Sequence, residues 1–322
     1  TEFHGGEDIV NKTIESFVNW LGQEGIGYSH TIIHDVDIDR VWAVRKAGLG
    51  LLMGLRHKKK PIAVIEDAAV LPDDLSNYVA DINRLMKSYD TNCVYYGHAS
   101  VGLLHIRPEL DLTNLADRQK FKQIAEQVSE IVLKYNGALS GEHGDGRVRA
   151  PYLRKQLGDE VYTLLEEVKK LFDPLGIFNP GKIISDIPVD CKLKGSRIPK
   201  EVFTPQFDWQ DDLGLYRAIE KCNGVGACRK GSGPGIMCPT YMASKEESLT
   251  TRGRASVLRY VINSDNPLKL ISNPEVKQIL EMCLGCKGCK SECPSSVDMA
   301  RLKSEFLFQH YKVVGKSLEI MV

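Results

Sequence analysis

At 322 residues, with 43% apolar and 26% charged side chains, the chain is long enough for two domains with separate cores. Forty-two basic residues balance forty-two acidic ones, which leaves no basic field to attract nucleic acid or anionic lipid. Nine cysteines, seven of them in the last third, suggest a reducing compartment and metal binding. Thr1–Asp8 has no apolar signal core and no apolar run reaches membrane-spanning length. A cytoplasmic protein that is not integral to a membrane is therefore expected, with peripheral contact at the inner membrane face left open.

Residues 7–23 carry Ile9, Val10, Ile14, Phe17, Val18 and Leu21 at the spacing of an amphipathic helix. Asp39–Lys46 predicts a second, shorter helix that breaks near Gly48 and Gly50, and His57–Pro61 reads as a solvated charged loop. Ile62–Val70 is β-branched and apolar, the pattern of a strand, and Asp73–Tyr89 has helical spacing. Cys93–Ile106 reads as strand, bend and strand. Residues 117–135 place Phe121, Ile124, Ala125, Val128, Ile131, Val132 and Tyr135 on one helical face; Ala138–Ser140 starts another strand, and 152–172 is a further helix closed by Asp173-Pro174-Leu175-Gly176. This order predicts an α+β fold: a ferredoxin-like antiparallel sheet covered by helices over residues 1–187. Pro188, Pro199 and Pro205 punctuate a polar stretch read as a linker over 188–214, and 215–322 reads as a smaller all-α domain with glycine-rich, cysteine-bearing loops.

Two short motifs precede the linker, Gly97–His105 and Ser140–Gly146. A bend at Ser100–Gly102 could bring His98 and His105 onto one face, and Glu142 leads out of a strand into a glycine-flanked turn. Two imidazoles and a carboxylate would make a three-ligand divalent-metal site with an open position; the alternative is a pair of ordinary hydrogen-bonded strand histidines.

Cys283-x-x-Cys286-x-x-Cys289-x-x-x-Cys293-Pro294 has the spacing of the bacterial ferredoxin run that holds an iron–sulfur cluster. Zinc sites usually separate two cysteine pairs by a longer loop, and disulfides need a secretory context. Cys222-x5-Cys228-x9-Cys238-Pro239 lies upstream with the same Cys-Pro ending. Gly231–Gly235 lies between cysteines with no strand before it, so it is not read as a phosphate cradle.

Gly97–His105, Ser140–Gly146 and Phe172–Ile183 together resemble the signatures of the FAD-linked oxidase C-terminal domain, the cap of D-lactate, glycolate and D-2-hydroxyglutarate dehydrogenases, and Ile65–Val70 is similar to that family's first cap strand. The match covers roughly residues 9–187. The resemblance implies a divalent ion (Zn, Mn or Fe) on His98, His105 and Glu142, with His143 as the catalytic base. It implies Arg45 as the partner of a substrate carboxylate, against a plain surface-helix arginine, and Asn179 near the flavin ring, in what is also an Asn-Pro turn. One departure stands out: the family usually has Gly-Asp-Gly-Asn between the two histidines, where this chain has Ala99–Leu104.

The two Cys-Pro motifs resemble the α-helical ferredoxin domain of succinate dehydrogenase and anaerobic glycerol-3-phosphate dehydrogenase. In two-cluster ferredoxins the fourth cysteine of each run ligates the other cluster. By that rule Cys238 joins Cys283, Cys286 and Cys289, and Cys293 joins Cys222 and Cys228. Seven cysteines then serve eight positions, so the second cluster is a three-iron form, takes a non-cysteine ligand, or is absent. Together with Thr251–Ala255, the pairing resembles large fused flavin and iron–sulfur dehydrogenases. The expected function is oxidation of a D-2-hydroxy acid, D-2-hydroxyglutarate first and D-lactate or glycolate next. Electrons would pass from FAD through one or two 4Fe–4S clusters to a quinone or carrier. The alternative is an electron-transfer module with an inactive cap. No flavin pyrophosphate loop is visible, so the sequence reads as part of a longer polypeptide whose FAD-binding domain lies elsewhere, with room for a homo-oligomer.

Overall fold

The structure is a computed structural model that describes residues 2–34, 36–54, 57–64, 66–191, 193, 195–196 and 203–315. Ile65, part of the expected strand, several positions of the expected linker and residues 316–322 lie outside the described residues. The chain divides into two units, Thr1–Leu49 and Gly50–Val322. The first carries α1 (Glu7–Gln23), as the apolar spacing predicted. Helix α2 (Val36–Gly54) departs from expectation, because it runs through Gly48 and Gly50 instead of breaking there. Each glycine costs a helix only about 1 kcal/mol relative to alanine. Neighbours such as Ala47 and Leu52 outweigh that.

The second unit begins with a small antiparallel sheet. Its spine is β4 (Leu103–Leu110). On one side β3 (Cys93–His98) pairs along it from Cys93↔Pro108 to His98↔Leu103. Its other partners are two short pieces, β1 (Lys60–Pro61) and β2 (Ala68–Ala69). The predicted strand over 62–70 is thus mostly not strand, and the register explains why. Lys60 stands opposite Leu110, so an unbroken ladder would set Ala68 opposite residue 102; it stands opposite Leu104 instead. The pairing slips by two residues, and Glu66 and Asp67 fall in the slip. The predicted strand at 138–140 is likewise reduced to a single bridge, Ala69↔Ala138.

Helices α3 (Leu75–Ser88), α4 (Leu115–Lys134) and α5 (Ala150–Phe172) accompany the sheet. Asn114 caps α4 by accepting the Ala116 N–H at 2.8 Å, and Phe121, Ile124, Ala125, Val128 and Val132 form its buried stripe. They pack with Tyr78, Ile82, Ile106, Leu110 and Leu139 in one core. Helix α5 is interrupted at Gly158, whose φ of 78° lies outside the helical region.

The remaining described helices are α6 (Leu215–Glu220), α7 (Pro239–Ser244), α8 (Thr251–Ile262), α9 (Pro267–Ile271), α10 (Pro274–Glu281), α11 (Gly288–Glu292) and the longer α12 (Met299–Val314). Proline at the first turn and an Asn cap start α9 and α10, and Asp298 caps α12 by accepting the Arg301 N–H. Their core gathers Trp209, Ile219, Leu258, Ile271, Leu280, Leu302 and Phe306 around the cysteine loops. The fold is α+β, a small antiparallel sheet with helices followed by an all-helical part.

Candidate functional site

The two-residue slip in the sheet builds the first site. Asp67 is fully buried and accepts hydrogen bonds from Ser140 Oγ at 2.6 Å, the His143 N–H at 2.8 Å and the Glu142 N–H at 3.1 Å. Burial alone would raise its pKa; the Ser140, His143 and Glu142 donors overcome that and hold the carboxyl below its ordinary value. One carboxylate from the 66–67 step therefore fixes the 140–143 turn, and with it the direction of the Glu142 and His143 side chains.

His105 forms the buried floor of the site, with its side chain 5% exposed. Register places it opposite Tyr96, on the same face as His98, and the two imidazoles lie 6.1 Å apart. The bend that makes this possible is a single 3-10 turn, Ala99–Val101, closed by Gly102 at φ +70°. A Cβ at Gly102 would fall 1.8 Å from the Val70 carbonyl oxygen, so only glycine fits.

The three imidazoles meet at Glu142. Its Oε1 lies 3.0 Å from His105 Nε2 and 3.2 Å from His143 Nε2, and its Oε2 lies 3.7 Å from His98 Nε2. The His105 Nδ1 is 2.9 Å from the Glu66 carbonyl oxygen, which can only accept. In the neutral tautomer Nδ1 carries the proton, and the Nε2 lone pair faces a carboxylate oxygen. Either a proton on Nε2 or a cation beside the pair satisfies two such atoms at 3.0 Å, and the donor set is of a kind that can hold a divalent metal. Among the described residues, donor atoms of Asp67, His105, Glu142 and His143 all lie within 4.8 Å of one another, a group that does not include His98. Asp67 is nonetheless committed to the turn by its three donors. Glu142 and the outer two histidines are 39–46% exposed, which leaves the site open on one side.

Sequence reasoning did not single out Glu66 or Arg107. The Arg107 guanidinium pairs with Glu66, both nearly buried, and Glu66 Oε1 lies 3.6 Å from His143 Nδ1. The two ring nitrogens of His143 thus face two different carboxylates. Arg45 lies exposed on α2 in the first unit, its guanidinium 5.5 Å from the centre of the Trp42 ring. Asn179 sits at φ +47° in an exposed loop that Asp173 organises by accepting the Ile177 and Phe178 N–H groups.

A second site lies among the helices. Cys238, Cys283, Cys286 and Cys289 line one cavity with Thr251 and Arg254, and Cys293 is not in its walls. Glu292 brings the two runs together: it accepts the Ile236 N–H at 2.6 Å, the Met237 N–H at 3.1 Å and Lys230 Nζ at 3.0 Å. Those two backbone donors, then Lys230, hold its pKa down to about 2. Burial raises the Cys228 and Cys289 thiols, so each needs a countercharge to exist as thiolate. Part of that charge is built in by Thr251–Ala255. The Arg252 N–H points at Cys228 Sγ at 3.4 Å, and the fully buried Arg254 guanidinium reaches Cys238 Sγ at 3.7 Å. One helix N-terminus, α8, thereby serves two sulfurs of the upstream run.

Comparison with known proteins finds a family match over each of the two stretches. Residues 216–297 match the 4Fe-4S dicluster domain. The chain is 33% identical to the D-2-hydroxyglutarate dehydrogenase of Haemophilus influenzae over 88% of its own length and 31% of that protein. It is 30% identical to the D-2-hydroxyglutarate dehydrogenase of Escherichia coli K12 over 84% of the chain and 30% of that protein. The glycolate oxidase subunit GlcD of Bacillus subtilis is 33% identical over 44% of the chain and 29% of the subunit. The chain thus spans about a third of the length of the curated relatives it matches. FAD and iron–sulfur clusters are the cofactors these domains bring, and among the described residues no helix is long and apolar enough to cross a membrane. Residues 1–183 match the model described as FAD linked oxidases, C-terminal domain, and the chain belongs to that family.

Proposed function

We propose that the chain is the cap and iron–sulfur part of a flavin-dependent D-2-hydroxy-acid dehydrogenase, with D-2-hydroxyglutarate as the first candidate substrate and D-lactate or glycolate next. The observation that carries this reading is the set of three imidazole nitrogens gathered on the Glu142 carboxylate in a chain that also gathers four cysteines on one cavity. Residues 1–187 act as the cap, 188–214 connect, and 215–322 hold the clusters. When bound, a divalent ion on His98, His105 and Glu142 supplies Lewis-acid polarisation of a 2-hydroxyl, a flavin supplies the hydride acceptor, and the clusters take single electrons toward a quinone or carrier.

The chain's own residues do the rest. His143 is the base: its side chain is 46% exposed at the open face, and the Asp67 bond to its backbone fixes where the ring stands. Glu66, held by Arg107, stands 3.6 Å from His143 Nδ1 and helps set how the ring lies. Arg45 supplies the charge-assisted contact for the substrate carboxylate. The flavin-binding partner docks where α5 and the following loop expose Leu171, Phe172, Leu175, Ile177 and Phe178, each more than 60% exposed, beside the exposed Asn179.

The test is turnover by the full-length polypeptide of D-2-hydroxyglutarate, D-lactate and glycolate with an artificial electron acceptor. His143→Ala should lower turnover by roughly two to four orders of magnitude with metal content unchanged. Unchanged turnover would remove His143 from its role. Absence of turnover with every 2-hydroxy acid would favour an electron-transfer module with an inactive cap.

A further inference from the structure

The cavity that gathers Cys238, Cys283, Cys286 and Cys289 has a closed side and an open one. Cys238, Cys289, Thr251 and Arg254 are buried and form the closed side. Leu284, Cys286 and Lys287 are exposed and form the open one. Of the nine cysteines, Cys286 is the one that is exposed, whereas Cys222 and Cys228 of the upstream run are both buried. A cluster in this cavity therefore presents one edge to solvent. Leu284, 72% exposed, stands at that edge, followed outward by the exposed Met282 and Ile236. Ile236 packs against Gly288, where an added Cβ would fall 2.7 Å from its side chain, so the two cysteine runs share one apolar lip.

Charge is arranged in the same direction. The Lys290 ammonium lies 3.2 Å from Asp298, but the lysine side chain is 62% exposed and the carboxylate 16%, because Asp298 turns inward to accept the Arg301 N–H. Glu292 is likewise spent on the Ile236 and Met237 N–H groups and on Lys230. Glu281 is paired with Lys277 at 2.6 Å. Among the described residues Lys287, on the rim itself, has no carboxylate partner. From inside, the buried Arg254 guanidinium answers part of a cluster's negative charge. The ammonium groups outside are left to act on a partner. Forty-two basic and forty-two acidic residues balance over the whole chain, yet this face shows lysine outward and carboxylate inward.

We propose that this face is the electron exit of the helical part, and that it docks a soluble one-electron carrier protein whose redox group is rimmed by Asp and Glu. This rests on the reading that the four-cysteine cavity holds a cluster. One electron leaves the reduced cluster for the oxidised carrier; the cluster is oxidised, the carrier reduced, and no bond or proton moves. A small apolar lip with a charged rim suits a transient electron-transfer contact, which buries little area and takes its speed from complementary charge. An anionic membrane surface is recognised by clusters of about four to eight Lys or Arg. Lys287 and Lys290 fall short of that, and Asp298 and Glu292 intervene.

The experiment uses the full-length polypeptide without oxygen, its clusters reduced by dithionite and the excess removed, so that no hydroxy acid is needed. It is mixed in a stopped-flow instrument with two forms of cytochrome c: the native form, whose haem edge is rimmed by lysine, and the succinylated form, whose rim is acidic. The succinylated form should be reduced about tenfold faster at about 10 mM salt, and the advantage should vanish by about 0.5 M. Lys287→Glu combined with Lys290→Glu should reverse the preference, with iron content and visible spectrum unchanged. Leu284→Ser should slow both forms at every salt concentration. A preference for the native form, or one that the double variant leaves untouched, would overturn the exit face. Reduction of a quinone in uncharged vesicles, with neither cytochrome reduced, would replace the soluble carrier by a quinone. Protein without iron or a visible band would bring down the cluster reading, and the exit with it.

Discussion

The substitution that probes the cap site most sharply is Asp67→Asn, which keeps shape and removes charge. Asp67 is fully buried and takes three donors, Ser140 Oγ and the N–H groups of Glu142 and His143, with the Arg149 guanidinium 3.9 Å away. A hydrogen bond to a charged group contributes about 1.5–3 kcal/mol, against about 1 for a neutral pair. Asparagine also turns an NH2 toward donors that have no second acceptor. Weakening two bonds and opposing one gives a loss of about 3 kcal/mol, similar to removing one partner of a buried charge. For a domain of about 150–250 residues that is a fall in Tm of roughly 6–12 °C. Thermal unfolding by circular dichroism measures it, and metal analysis should find that any divalent ion held by the proposed site in the wild type is reduced, because Glu142 is no longer aimed. The pH dependence has a definite sign. The folded Asp67 pKa lies below its unfolded value, so its stabilisation is present above the ordinary carboxylate range and is lost as pH falls through the folded value. The gap between wild type and variant should therefore narrow on acidification. An unchanged Tm with full metal content would refute the claim that Asp67 organises the turn.

Cys238→Ser should bleach the cluster of Cys283, Cys286 and Cys289, whereas Cys293→Ser should affect only the signal that depends on Cys222; visible absorption of the two variants, prepared without oxygen, decides. Arg254→Lys loses a donor aimed at Cys238 and should lower the reduction potential of that cluster by roughly 40 mV, about 1 kcal/mol for one electron, by redox titration. Glu305 accepts from Gln309 Nε2, Trp209 Nε1 and the N–H groups of Gln206 and Phe207, and these donors outweigh its burial to keep its pKa below 4.5. Glu305→Gln should cost about 2 kcal/mol near neutrality, and the difference in Tm should close as pH falls below 4.5 through the depressed value.

Which of these features could be read in the sequence follows a physical rule. Helix α4 announced itself, because seven apolar residues on one face leave no other stable arrangement. The bend that faces His98 and His105 together was also legible, since Ser100–Gly102 interrupts a strand pattern. The strand over 62–70 misled because its apolar residues report burial, while the two-residue register slip depends on partners forty residues away. Asp67 and Glu66 were invisible for the same reason. Their work is done on residues about seventy-five positions later, and a lone Asp-Glu pair carries no local mark of that. The break expected in α2 failed differently: glycine propensity is a weak force that neighbours override. At the cysteine runs spacing gave the chemistry, yet the Arg254 guanidinium at Cys238 and the Glu292 clasp on the Ile236 N–H needed the fold to be seen.

The stretch between the two sites argues for a fixed geometry between them. Its composition, polar and proline-punctuated, reads as a flexible spacer, but its described residues are anchored at both ends. Val189 packs into the cap core and Trp209 into the helical core, where Glu305 receives the Trp209 indole N–H. Across the junction Arg217 of α6 donates to Asp111 at 2.6 Å and to Thr113 at 3.0 Å, both in the turn after β4. Asp111 is held ionised there: burial opposes its charge, and Arg217 followed by Thr113 more than compensates. Lys60 of β1 shows the complementary response, its pKa lowered by burial and by Arg217 and Lys221. A partly buried ion pair of this kind is weak evidence for stability, since its desolvation cost cancels much of the attraction. It does specify one arrangement, because a sliding interface would leave Asp111 buried without its guanidinium. Under the proposed function electrons reach the clusters from a flavin beside the cap, and transfer that falls steeply with distance would benefit from a spacing that does not fluctuate. Removing the pair by Arg217→Ala should thus loosen the junction, seen as faster hydrogen exchange in 111–117 and 215–220, with the Tm of each core nearly unchanged. Unchanged exchange in both segments would show that the two domains are locked by their cores alone.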